Sequence, residues 1–146
     1  MKLKIKKLHP AAILPKYATK GAACFDLHAV DCEDQTVPAC MPTTLRTGLA
    51  FEVPHGHVML IFSRSGHGFK NDTRLANCVG VIDSDYRGEV MVRLTRDVSL
   101  ADSLSFKSGD RIAQAMVVAI PWIQIVEDDE LIDTERGAGG FGSTGQ

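Results

Sequence analysis

Short apolar runs, mostly about five to eight residues long as strands usually are, recur along nearly the whole chain between Gly, Pro, Asp and Asn. In several runs polar and apolar positions alternate, as in Lys2-Leu3-Lys4-Ile5-Lys6. That alternation sends successive side chains to opposite faces of an extended backbone. Strands are predicted at 2–8, 24–29, 43–48, 49–53, 57–62, 74–78, 89–95, 111–120 and 122–127, many of them rich in β-branched residues. No window keeps a helical period of about 3.6 residues long enough for a major helix. A turn or two of helix is predicted around Ser65–Asn71, weakened by Gly66 and Gly68. The pattern therefore predicts an all-β domain, a jelly roll or distorted β-barrel of short strands with one short helical segment. Short strands leave open sheet edges, for which symmetric association is the usual remedy, so an oligomer is expected.

Composition adds exclusions. The chain has 146 residues, enough for one domain burying roughly 70% of its unfolded surface. Its net charge of −2 gives no overall basic field for nucleic acid or an anionic membrane. No apolar stretch approaches membrane-spanning length, and the basic N-terminal segment alternates instead of forming a signal-peptide core. The expected location is the cytoplasm. The cysteines at 24, 32, 40 and 78 contain no Cys-x-x-Cys pair, which points to reduced, partly buried thiols and not a metal site. His55 and His57 offer half of a metal site at most, with no third ligand nearby in sequence.

Chemistry concentrates in a few segments. Residues 77–89 read as a hairpin with the polar tip Asp83-Ser84-Asp85-Tyr86. In an extended chain Asp83 and Asp85 would share a face, while an ordinary Asx turn at this tip explains the same residues. Apolar Val79, Val81 and Ile82 run up to the tip, so a planar ring fits between the arms, read by backbone groups and the Asn77 amide. The segment Ser63-Arg64-Ser65-Gly66-His67-Gly68 has the composition of a small anion cradle, without the spacing of a phosphate-binding Walker loop. Arg111 and Gln114 open a strand, and Asp26 lies isolated among small and apolar residues. The Gly-rich C-terminus combines a cation, Arg136, with an aromatic face, Phe141, and two hydroxyls, Ser143 and Thr144. Those groups suit a strap that closes on a phosphate and a flat base.

Five segments, at 22–29, 64–70, 80–88, 109–114 and 136–145, resemble in order and separation the five motifs of the trimeric dUTP diphosphatase (dUTPase) family. Most specific are Gly80-Val81-Ile82-Asp83-Ser84-Asp85-Tyr86-Arg87-Gly88 and the run from Arg136 to Gly145. The resemblance implies a jelly-roll homotrimer with shared active sites and exchanged C-terminal tails. A β domain at 1–134 would be completed by a flexible lid at 135–146. The substrate implied is dUTP, hydrolysed to dUMP and pyrophosphate by Mg²⁺-assisted attack of water on the α-phosphorus. That reaction keeps uracil out of DNA and supplies dUMP for thymidylate synthesis. On the matching positions Asp83 orients and deprotonates the water. Asn77, Gly80, Val81, Ile82 and Met91 read uracil, Tyr86 lies against the deoxyribose, and Phe141 stacks on the base. Arg64, Ser65, Gly66, Gln114, Arg136, Gly142, Ser143 and Thr144 contact phosphates, and Asp26 holds Mg²⁺ through water. Departures from the family pattern are Ser63 before Arg64, His67 where leucine is common, and Cys24-Phe25 in the first motif. His67 adds the prospect of a pH-dependent phosphate contact.

Other readings compete for the same residues. A dCTP deaminase shares the fold but places a glutamate base where this chain has Arg93. Against a non-catalytic nucleotide-sensing or regulatory binding protein, Asp83 and the complete tail argue for retained catalysis, and a purely structural jelly roll would have no need for the pattern from Arg136 to Thr144. A regulatory protein partner remains compatible as a second role, through loops at 31–41 and 69–73.

Overall fold

The computed structural model describes residues 1–97 and 104–140. Among them the elements run β1 (Lys4–Lys7), β2 (Phe25–His28), β3 (Gln35–Val37), β4 (Thr43–Arg46), β5 (Leu49–Glu52), β6 (His57–Phe62), α1 (Ser65–Asn71), β7 (Thr73–Leu75), β8 (Gly80–Ile82), β9 (Met91–Arg96), β10 (Leu104–Phe106) and β11 (Arg111–Ala119). The fold is all-β with one short helix, as the alternation predicts. Every strand pair is antiparallel. The larger sheets have the orders β2-β11-β6-β8 and β4-β9-β7, and the pairs β1-β5 and β10-β3 complete the set. Partners distant in sequence, such as β2 with β11, exclude a simple meander and fit jelly-roll winding.

Alternation places the core. Phe25 and Leu27 of β2 are buried while Asp26 and His28 are half-buried on the other face. Leu45, Leu49, Phe51, Met59, Leu75, Leu94, Phe106 and Ile112 fill the interior. Among the described residues one ladder shifts register, between Arg111 and Ala113 on β11. That irregularity lets Ile112 and Ala113 both turn inward while Gln114 stays opposite Asp26.

Four local differences from the sequence pattern have physical causes. Strands β3 and β10 are three residues each, too short to show a period. The run at 74–78 pairs only as β7, because Cys78 adopts φ 64° and turns the chain away. Residues 77–89 do not form a laddered hairpin, since β8 pairs with β6 while β9 pairs with β4 and β7. The strand expected at 122–127 is absent. Ladder pairing of β11 ends at Ala119 opposite His57, Ile120 N–H donates to Gly56 O, and β6 then offers no further partner. The segment beyond runs outward with Trp122 92%, Ile125 95% and Ile132 94% exposed. The cysteines are free, but only Cys32 is buried and Cys24 half-buried; Cys40 and Cys78 are exposed. No helix among the described residues is long and apolar enough to cross a membrane.

Candidate active site

Because among the described residues β8 pairs with β6 alone, its other edge leaves backbone donors and acceptors without a ladder partner there, beside Met91. A cavity of about 610 Å³ opens there, lined by Asn77, Gly80, Val81, Ile82, Met91 and Arg93 over a floor of Ile61 and Leu75. Gly80 faces Ile61 across the ladder, and a Cβ there would lie 3.1 Å from the Ile61 Cβ. Glycine thus lets β8 lie close to β6. An apolar floor with an open strand edge accepts a flat heterocycle and reads its rim through backbone N–H and C=O. All five residues expected from sequence to read the base converge here.

Chain direction then carries Asp83 out of β8 into a turn closed by Tyr86 N–H donating to Asp83 O at 3.3 Å. Asp83 and Asp85 therefore sit on a turn, not on one face of an extended strand. Both are exposed and border a second cavity of about 480 Å³ with His55, His57 and Trp122. The Arg87 guanidinium donates to Ser84 O at 2.7 Å and Tyr86 O at 2.9 Å, which stiffens the tip. The Tyr86 ring lies over Gly88, where an added Cβ would come within 2.6 Å of its Cζ. Its hydroxyl donates to Glu89 O at 3.1 Å.

The basic cluster forms at the opposite end of β6. Arg64 is the extended residue before α1, and its Nε donates to Asp26 Oδ1 at 2.9 Å. Arg111 reaches Asp26 Oδ2 at 3.4 Å, so Asp26 is ion-paired and not isolated. Gln114 Nε2 donates to Ser63 O at 3.0 Å, while Ser63 Oγ accepts from Leu75 N–H at 2.9 Å. Ser63, a departure in sequence, thus anchors β7 to the cradle. A cavity of about 480 Å³ runs past Arg64, Ser65 and Gln114. At Gly66 a Cβ would meet nothing within 4 Å, so packing within the chain does not require glycine there. His67 Nε2 lies 2.7 Å from Arg111 O and its ring packs edge-on against Phe106, so that nitrogen faces β11 and not an anion. Burial is the main cause holding His28 below the ordinary imidazole range; Arg111 and Arg64 push the same way, and Asp26 opposes them. Its Nδ1 is buried without a hydrogen-bond partner.

Among the described residues no cluster of three or more His, Cys, Asp or Glu side chains could hold a metal ion. Asp26 alone, 17% exposed and already facing two guanidiniums, fits an ion that keeps its waters and is carried mainly by substrate phosphates. In the tail, Arg136 Nε donates to Gly139 O at 2.9 Å, and Gly137 at φ 49° closes a turn on Thr134 O. Arg136 is exposed. Phe141, Gly142, Ser143 and Thr144 lie outside the described residues.

The expected site residues thus fall into separate groups in one chain. Continuing the β8–β6 register one pair beyond Met59–Ile82 sets Asp83 opposite Val58. Arg64 lies six residues further along the extended chain, on the order of 20 Å at about 3.3 Å per residue.

A family model described as dUTPase matches residues 11–145. The deoxyuridine 5'-triphosphate nucleotidohydrolase of Nautilia profundicola is 47% identical over 146 residues, with all of both chains covered. The chain belongs to the dUTPase family. The protein of the same name from Wolinella succinogenes is 43% identical, covering 100% of this chain and 95% of its own. That from Helicobacter pylori strain P12 is 39% identical, covering 99% and 97%. Among solved structures, the Staphylococcus bacteriophage 80alpha dUTPase with dUpNHpp matches at TM-score 0.84 and 25% identity over 99% of each chain. A mutant dUTPase from phage phi11 of S. aureus, described with a structural Mg(II) ion, shares the fold at TM-score 0.79 and 20% identity, over 89% of this chain and 98% of its own.

Against the dUTPase pattern, sequence reasoning missed two sets of contacts. The Arg111–Asp26 ion pair spans 85 residues and has no sequence signal. Glu89 looks like a plain strand start, yet its carboxylate receives Arg46 and the Gly48 N–H at 2.8 Å.

Proposed function

We propose that this dUTPase-family chain hydrolyses dUTP to dUMP and pyrophosphate in sites shared between copies of a homotrimer. The observation that carries the reading is the open edge of β8 running directly into Asp83. Uracil lies on that edge, with Asn77 adding an amide donor and acceptor and Tyr86 closing against the sugar. Asp83 accepts a proton from water and directs it at the α-phosphorus, a step that is mostly positioning and charge stabilisation. Arg64, Ser65, Gly66 and Gln114 hold the phosphates. Arg136, Phe141, Gly142, Ser143 and Thr144 close over the nucleotide as a lid at 135–146 and exclude bulk water. Asp26 meets a substrate-borne Mg²⁺ through water; when bound, that ion supplies positive charge against the phosphate oxygens.

The separation within one chain supports sharing. Reacting atoms stand about 3–3.5 Å apart, so Asp83 and Arg64 of the same chain do not face one phosphate. A neighbour's Arg64 cradle brought to the Asp83 end completes the site. The outward arm supports the same assembly. It is apolar at Trp122, Ile125, Leu131 and Ile132 and acidic at Glu127, Asp128, Asp129 and Glu130. The basic β1 edge, with Lys4, Lys6 and Lys7, borders an apolar cleft of about 290 Å³ floored by Leu3, Ile5 and Phe25. Opposite charge and matched apolar surface suit exchange of the arm onto another copy. The same reading puts the protein in the cytoplasm, where nucleotide pools are processed.

Pyrophosphate release measured in parallel with dUTP, dTTP, dCTP and UTP tests the function. Turnover of dUTP alone is expected; ammonia release from dCTP would replace it with the deaminase reading.

A further inference from the structure

The stretch that follows Tyr86 is held more firmly than a hairpin return requires. Glu89, with 17% of its side chain exposed, takes the Arg46 Nε at 3.2 Å, the Arg46 Nη2 at 3.1 Å and the Gly48 N–H at 2.8 Å. Gly48 cannot yield. Its φ is +64°, and a Cβ there would come within 2.7 Å of the His9 Cβ. Arg46 is itself fixed on its far side, donating to Asp31 at 2.7 Å, and Asp31 meets His9 Nε2 at 3.0 Å. The next residue is locked as well: Val90 N–H donates to Leu49 O at 2.8 Å and Val90 O accepts the Thr47 hydroxyl at 2.6 Å. Glu89 and Val90 therefore form a fixed platform. Among the described residues the Tyr86 phenol bonds to the carbonyl of that platform alone.

We infer that Glu89, gripped by Arg46, is a positioning residue that sets how strictly the site rejects a ribose. The inference rests on the proposed placement of Tyr86 against the sugar. Exclusion of one hydroxyl demands a ring that does not retreat. Tyr86 is 42% exposed and lies over Gly88 without entering the core, so its hydrogen bond to the platform is the polar contact that resists its retreat. A carboxylate accepting from a guanidinium and a backbone amide is among the stronger non-covalent anchors. Loosening it lets Tyr86 recede and admits the 2′-hydroxyl, while the uracil edge and Asp83 stay in place.

The test is kcat/KM for dUTP and for UTP in wild type, Glu89→Gln, Arg46→Met, Tyr86→Phe and the Glu89→Gln/Tyr86→Phe double variant, with thermal melts as fold controls. Glu89→Gln is expected to lower the dUTP/UTP ratio about tenfold, the scale of one lost charge-assisted bond, chiefly by raising kcat/KM for UTP. Arg46→Met keeps the Gly48 bond and shifts the ratio the same way by less. The double variant is expected to shift it no further than the larger single change, because both break one linkage. A merely structural role would lower both substrates in proportion. A folded Glu89→Gln with an unchanged ratio overturns the inference; if that variant does not fold, an unchanged ratio in Arg46→Met does so. A wild type that hydrolyses UTP as readily as dUTP overturns the sugar reading itself.

Discussion

Replacing Gly88 by alanine is a local probe of the sugar site whose outcome follows from distances. The new Cβ would sit 2.6 Å from Tyr86 Cζ and 3.0 Å from Cε2. Real Cβ atoms do not approach so closely, so one partner moves. The backbone on either side is held, by the Arg87 bonds at the tip and by the Glu89–Val90 platform. Tyr86, at 42% exposure, is the group free to swing. Its departure breaks one neutral hydrogen bond of a ring that is already 42% exposed, a net loss of about 0.5–1.5 kcal/mol. The melting temperature of a domain this size should fall by only about 2–8 °C. Discrimination should suffer more than stability, because the ring has left the space a ribose hydroxyl would occupy. Parallel kcat/KM measurements with dUTP and UTP, beside a thermal melt, provide the assay. A Gly88→Ala protein that melts as expected and keeps full preference for dUTP would refute the placement of Tyr86.

Other perturbations separate the remaining roles. Asp83→Asn should leave the fold and dUTP binding nearly intact while slowing turnover at least about a hundredfold; single-turnover pyrophosphate release with calorimetric binding decides this. Truncation after Glu135 should preserve assembly by sedimentation and abolish efficient hydrolysis. His28 gives a pH signature. Its folded pKa lies below the unfolded value, so its contribution is fully present above the ordinary imidazole range and is lost as pH falls through the depressed folded pKa. His28→Gln should therefore narrow the drop in melting temperature between pH 7.5 and pH 5.5, about the window in which histidine titrates; an unchanged drop removes His28 as a cause.

Much of this was legible in sequence wherever physics is local. Short apolar runs between turn residues revealed β2, β4, β6 and β11, and the turn or two of helix expected around Ser65–Asn71 is α1, although it buries none of its residues. The base cavity was anticipated from apolar residues beside a polar tip, although for a different reason. Its edge is open because β8 and β9 join separate sheets, a topological fact with no local trace. Contacts between distant residues, Arg111 with Asp26 and Arg46 with Glu89, were invisible for the same cause. Residues 122–127 carry a genuine strand pattern, yet among the described residues no strand pairs with it. Under the proposed assembly its partner would come from another copy, which a reading of one chain cannot supply.

Sharing of one site between copies is most directly tested by mixing two inactive variants, Asp83→Asn and Arg64→Ala, after unfolding and joint refolding. If Asp83 and Arg64 of each site come from different copies, random assembly at equal amounts makes about one site in four fully native (one half times one half). Roughly a quarter of wild-type dUTP hydrolysis should return, with none from either variant alone or from the double variant. Activity that stays absent in mixtures shown by sedimentation to contain both variants in one assembly would mean that each chain builds its own site, and the account would be wrong.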